Sequence, residues 1–114
     1  GNTLVGDVNN KTAIILDDLI STGGTISRTA AACKKAGANK VLAFATHGIF
    51  TGKPDEVFGD ESLQQIIICN TIPPFRLNNT KTKEKLTVLN AAPLFAAVIK
   101  RMNEGASITE LFQD

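Results

Sequence analysis

Apolar residues along this chain gather in short, nearly unbroken runs separated by polar stretches marked with glycine or proline. Residues 12–16, residues 41–45 and Ile66-Ile67-Ile68-Cys69 are such runs, and residues 86–89 make a shorter fourth. Runs of this length without alternation predict parallel strands covered on both faces. Between the first two, Ile26, Thr29 or Ala30, and Cys33 recur at helical spacing, and Gly37 is placed to end that helix in the left-handed conformation. After the fourth run, Pro93 falls in a first turn, and Leu94, Phe95, Val98, Ile99 and Met102 form an apolar stripe that Gly105 stops. Ser107-Ile108-Thr109-Glu110 matches a capping box, in which Ser107 accepts from a helical N–H and Glu110 reaches back to the cap, so a short terminal helix is expected. Residues 51–60 read as a loop with one helical turn at 54–58. Strand and helix alternate, which predicts an α/β domain with a mainly parallel sheet flanked by helices and right-handed crossovers.

Composition narrows the class. At 114 residues, 43% hydrophobic and 20% charged, the chain is long enough for one core and too short for two, so residues 1–114 read as a single domain. A net charge of +1 gives no reason to expect a nucleic-acid partner. Lys81, Lys83 and Lys85 lie in residues 78–85, which read as a solvated loop without interleaved aromatics. No apolar run approaches the roughly 18 residues of a membrane span, and no signal peptide leads the chain, so a cytoplasmic protein without a membrane partner is expected. Cys33 and Cys69 form no C-x-x-C pair and read as small apolar residues of a reducing compartment.

The chemistry concentrates in Asp17-Asp18-Leu19-Ile20-Ser21-Thr22-Gly23-Gly24-Thr25. An apolar strand delivers two carboxylates and then a hydroxyl- and glycine-rich turn to a helix N-terminus, whose first N–H groups lack internal partners and carry the positive end of the helix dipole. Such an end suits a phosphate dianion. Gly23 and Gly24 let the backbone come close, Ser21, Thr22 and Thr25 add hydroxyls, and Asp17 and Asp18 suit the hydroxyls of a sugar. The implied ligand is a sugar phosphate. No lysine follows Gly24 and no G-x-G-x-x-G follows the strand, which excludes the common nucleoside-triphosphate and dinucleotide loops. The same residues would also serve as a plain strand end and helix cap, as in a receiver-type flavodoxin-like domain.

That segment resembles the phosphoribosyl-diphosphate loop of type I phosphoribosyltransferase folds. With Thr46-His47-Gly48-Ile49-Phe50-Thr51-Gly52, Asn70-Thr71-Ile72-Pro73, Ala97-Val98-Ile99-Lys100-Arg101 and Ser107-Ile108-Thr109-Glu110-Leu111-Phe112, the whole chain resembles the ribose-phosphate pyrophosphokinase family. The resemblance implies a partial phosphoribosyltransferase-like domain, the C-terminal part and about the last third of a longer enzyme. It implies transfer of pyrophosphate from ATP to ribose 5-phosphate, giving phosphoribosyl diphosphate and AMP, with Mg2+ as the cofactor and ribose 5-phosphate and ATP as small-molecule partners. By the resemblance Asp17 would contact the ribose, Asp18 would help it near the sugar or metal, and Ser21, Thr22, Gly23, Gly24 and Thr25 would surround the 5-phosphate. Ser21 stands where Asp is common, and Gly23 where Ala or Cys is usual. The family's catalytic lysine and arginine and its metal-holding histidine and acid have no counterparts here, so no catalytic or metal residue is assigned and the chain alone is expected to be inactive. His47 is expected either to support the loop or to touch ligand. Ser107, Ile108, Thr109 and Phe112 match a segment that helps bind an allosteric phosphate or ADP, though plain capping would explain them equally. A homo-oligomer is expected by analogy. The loop alone would also suit a purine or pyrimidine phosphoribosyltransferase, and the fold a non-catalytic synthetase-associated subunit.

Overall fold

The computed structural model describes residues 5–78 and 80–113. Four strands, β1 (Thr12–Ile20), β2 (Lys40–Gly48), β3 (Gln65–Cys69) and β4 (Leu86–Leu89), form one sheet in the order β1-β2-β3-β4 with every neighbouring pair parallel. Helix α1 (Gly24–Lys35) joins β1 to β2, α2 (Pro54–Phe58) joins β2 to β3, and α3 (Thr80–Glu84) leads into β4; α4 (Ala92–Glu104) and a 3-10 turn (Thr109–Phe112) follow. The expected α/β architecture with a parallel sheet is the one observed.

Local chemistry explains where α1 stops. Gly37 adopts φ +90°, its N–H donates to the Lys34 carbonyl and the Ala38 N–H to the Cys33 carbonyl, each at 3.0 Å. This is the paired-bond C-terminal motif that a left-handed glycine makes possible. Ile26, Ala30 and Cys33 are the buried face of the helix, at the spacing the sequence showed.

Register places the core. Val41, Ala43 and Ala45 of β2 share a sheet face with Ile66 and Ile68 of β3, and all are at most 6% exposed. On that face pack Ile26, Ala30 and Cys33 from α1, Phe58 from α2, and Phe50, Leu63 and Leu77 from the connecting loops. The opposite face is aligned through Leu16, Phe44 and Ile67. There Leu16 is 78% and Ile14 58% exposed, so β1 is not covered on both faces as its apolar run led one to expect. An edge strand with a bare face needs no polar alternation if something outside the described residues packs on it, and periodicity cannot report that.

Other expectations change in the same direction. The stripe of α4 forms as predicted but is not buried: Leu94, Phe95, Ile99 and Met102 are exposed. Residues 80–84 of the basic stretch are helix α3 rather than loop, and the Lys85 ammonium donates to the Phe58 and Asp60 carbonyls beyond α2; Asn79 lies outside the described residues. Cys33 is buried and Cys69 half-buried, both as free thiols. Among the described residues no helix is long and apolar enough to cross a membrane.

Candidate functional site

Strand β1 runs four residues further than the sequence suggested, so Asp17 and Asp18 lie inside the strand and the turn begins only at Ser21. Asp17 lines a cavity of about 100 Å3 together with Leu19, Ile20, Ser21, Thr22, Gly23, Gly24, Thr25 and Ile26, whereas Asp18 does not. The Asp18 N–H donates to Asp17 Oδ1 at 2.9 Å, which ties the Asp17 carboxylate to its own strand.

The floor of this cavity is the start of α1. Gly23 is the N-cap, at φ +78° and ψ −3°, and no side chain caps the helix. Ser27 N–H closes the first turn on the Gly23 carbonyl at 2.9 Å, while Gly24 N–H has only a long contact, 3.5 Å, to Thr22 Oγ1. The first-turn N–H groups therefore keep donor capacity for an anion. Helix α1 has no acid in its first turn. Instead Arg28 lies one turn in, its Nη2 3.4 Å from Thr25 Oγ1. A cation there works against the helix dipole but with a bound anion.

The loop is braced from β2. The N–H groups of Ile49 and Phe50 both donate to the Ile20 carbonyl, at 2.9 and 3.2 Å, and Thr51 N–H donates to the Ser21 carbonyl at 2.9 Å. Ser21 Oγ and Thr51 Oγ1 stand 3.2 Å apart. Phe50, at φ +54°, is fully buried and meets Phe58 edge-on with ring centroids 5.9 Å apart. The Phe58 ring in turn lies against Gly23.

His47 is not a lining residue of this cavity. Its Nδ1 is 2.8 Å from Thr71 Oγ1, which itself donates to the Thr46 carbonyl at 3.2 Å. With the single hydroxyl proton of Thr71 engaged there, the network assigns the ring proton to Nδ1 and leaves Nε2 as an acceptor. His47 thus ties the ends of β2 and β3 together.

Ser107, Ile108, Thr109 and Phe112 form a separate group after α4. Ser107 Oγ bonds Thr109 Oγ1 at 2.8 Å rather than a helix N–H. Glu110 pairs with Arg101 at 2.8 Å, and Arg101 also donates to the Ser107 carbonyl at 2.7 Å. The expected capping box is not formed: the Glu110 carboxylate is held by the Arg101 guanidinium, which also takes the Ser107 carbonyl, and the Ser107 hydroxyl is engaged with Thr109. Ile108 and Phe112 are exposed.

Thr51 and Arg28 were not singled out by sequence. Arg28 could have been, since it follows Thr25 by three residues on a helix, where side chains meet. Thr51 could not, because its contact spans thirty positions. A larger recess of about 210 Å3 lies on the open sheet face among Leu16, Asp17, Phe44, Ile67 and Leu89, so Asp17 borders both this recess and the smaller cavity. Among the described residues no group of three or more His, Cys, Asp or Glu could hold a metal.

The profile of the phosphoribosyl synthetase-associated domain family matches residues 2–113. The ribose-phosphate pyrophosphokinase of Clostridium acetobutylicum is 38% identical over 112 residues, covering 98% of this chain and 34% of the relative. That of Caldanaerobacter subterraneus is 40% identical over 109 residues, covering 96% and 34%. The crystal structure of phosphoribosylpyrophosphate synthetase from Mycobacterium smegmatis superposes with a TM-score of 0.79 at 36% identity, over 90% of this chain and 33% of that one. The chain thus spans about a third of the length of the relatives it matches.

Proposed function

Since the chain belongs to the phosphoribosyl synthetase-associated domain family, we propose that it is the C-terminal, sugar-phosphate-binding part of a ribose-phosphate pyrophosphokinase. The whole enzyme would transfer the pyrophosphoryl group of ATP to ribose 5-phosphate. In that reaction the anomeric hydroxyl attacks the β-phosphorus in line; a bond forms from the sugar oxygen to phosphorus, the bridge between the α- and β-phosphates breaks, and AMP leaves.

The observation that carries the reading is the uncapped N-terminus of α1, opening with Gly23 into a cavity that also holds Asp17. A phosphate dianion accepts from the first-turn N–H groups and from Ser21, Thr22 and Thr25. Asp17 can only accept when ionised, so it faces the ribose hydroxyls rather than the phosphate. Held at both ends, the sugar presents its anomeric hydroxyl in one direction, and such positioning is most of what a protein contributes to phosphoryl transfer. ATP and Mg2+ belong, in this reading, to parts of the enzyme outside this chain. The same reading makes the protein cytoplasmic and homo-oligomeric.

A calorimetric titration of ribose 5-phosphate into the 114-residue chain tests it. Saturable binding that Asp17→Asn weakens at least about tenfold is the expected result. A folded chain that gives no binding heat overturns the assignment of this loop as an autonomous sugar-phosphate site. Release of AMP by the chain alone, above a protein-free blank, would overturn the division of labour.

A further inference from the structure

We propose that Thr51 is a positioning residue of this site, acting on the phosphate through Ser21. The inference rests on the sugar-phosphate reading above and adds a residue that neither the loop motif nor its helix contains. Two bonds join the pair: Thr51 N–H donates to the Ser21 carbonyl at 2.9 Å, and the hydroxyl oxygens are 3.2 Å apart. The first fixes where the Thr51 side chain stands. The second leaves one question of direction, since either hydroxyl can donate.

A bound phosphate answers it. A dianionic phosphate oxygen only accepts, so Ser21, at the mouth of the cavity, must turn its proton toward the ligand. Its oxygen is then free to accept, and Thr51 supplies the proton. The result is a directed chain from Thr51 Oγ to Ser21 Oγ to the phosphate oxygen, each donor strengthened by the one behind it. Thr51 can hold that place because the segment around it is tightly set. Ile49 and Phe50 bond the Ile20 carbonyl, and Phe50 is locked at φ +54° with its ring wholly buried. A freely moving loop would lose side-chain and backbone entropy on ordering; here the order comes from the segment's own hydrogen bonds and buried ring.

The test is a double-mutant cycle read by titration with ribose 5-phosphate. Thr51→Val keeps the shape and removes the donor, and it should weaken binding about tenfold, as expected for one hydrogen bond in a charged network. Thr51→Ser should restore it. In a Ser21→Ala background, Thr51→Val should change affinity by less than about twofold, because the relay has lost its middle member. Equal losses in both backgrounds, or failure of the serine variant to rescue while it remains folded, would overturn the proposal. A parallel titration with inorganic phosphate, followed by the amide resonances of Gly23, Gly24 and Thr25, separates the two readings. If the wild-type chain binds phosphate with the same Thr51 dependence but not ribose 5-phosphate, the relay stands and the sugar-phosphate assignment fails. If the wild-type chain binds neither probe, both are overturned.

Discussion

Gly23 and Phe58 cannot both be large. A Cβ on Gly23 would collide with the Phe58 ring, and the glycine sits at φ +78°, where L side chains are strained. Phe58 is itself 1% exposed and has nowhere to retreat. The left-handed turn that opens α1 toward the cavity therefore depends on an aromatic residue thirty-five positions away, supplied by α2.

Gly23→Ala is expected to destabilise the chain by about 1–3 kcal/mol, combining an unfavourable φ with the clash. Urea unfolding would measure it. Measured against Phe58→Leu alone, which removes the clashing ring at its own cost in packing, Gly23→Ala should cost only the roughly 1 kcal/mol due to the backbone. No cost in that background would show that φ is not under strain.

Asp17 and Asp18 are neighbours in sequence but only Asp17 lines the cavity. Asp17→Asn should weaken ribose 5-phosphate binding by about ten- to a hundredfold, the cost of replacing a charged acceptor of hydrogen bonds. Asp18→Asn should leave the affinity within about threefold. Calorimetry on both variants decides this, and equal losses would mean that both carboxylates reach the ligand.

The two faces of the sheet should respond to mutation very differently. Ile66 is fully buried against α1 and its neighbours, so Ile66→Ala should cost about 2–5 kcal/mol. Leu16→Lys, at a side chain 78% exposed, should change the stability of this chain by no more than about 0.5 kcal/mol. Denaturant midpoints at constant m-value give both numbers.

This contrast also marks how far the sequence could be read. All four strands, α1 with its Ile26, Ala30 and Cys33 face, the Gly37 stop and the short α2 follow from local patterning, because each is decided by residues a few positions apart. The loop from Ser21 to Thr25 was legible for the same reason, as a turn feeding a helix. Misreadings arose wherever a distant group decided the outcome. Ile14 and Leu16 look like interior residues, yet the bare face of β1 depends on what stands beside the strand. The α4 stripe is periodic, yet among the described residues nothing covers Leu94, Phe95, Ile99 and Met102. Glu110 has the spacing of a cap, but Arg101 takes it. Thr51 is invisible as a partner of Ser21 until β1 and β2 are paired in register.

Thr82 offers a test of the basic segment. The residue is fully buried in α3 and its hydroxyl finds no hydrogen-bond partner among the described residues. Thr82→Val keeps the shape and removes the orphaned group, and it should raise stability by about 1 kcal/mol. A fall of similar size would mean that the hydroxyl has found a partner in solution.

The strand order has a consequence for the electrostatics of the site. Ligand crevices in open parallel sheets form where adjacent strands send their connections to opposite faces. Here β1 to β4 follow one another across the sheet, and the core cluster gathers on a single face. The loop at Gly23 is thus packed on its core side against Phe58, while Ser21, Thr22 and Thr25 are exposed. Charges facing bulk water are screened within a Debye length, about 10 Å at 0.1 M salt. Phosphate held there by the chain alone is held in competition with dissolved ions, so its affinity must fall as ionic strength rises. Arg28, whose guanidinium stands beside Thr25, is expected to steepen that fall.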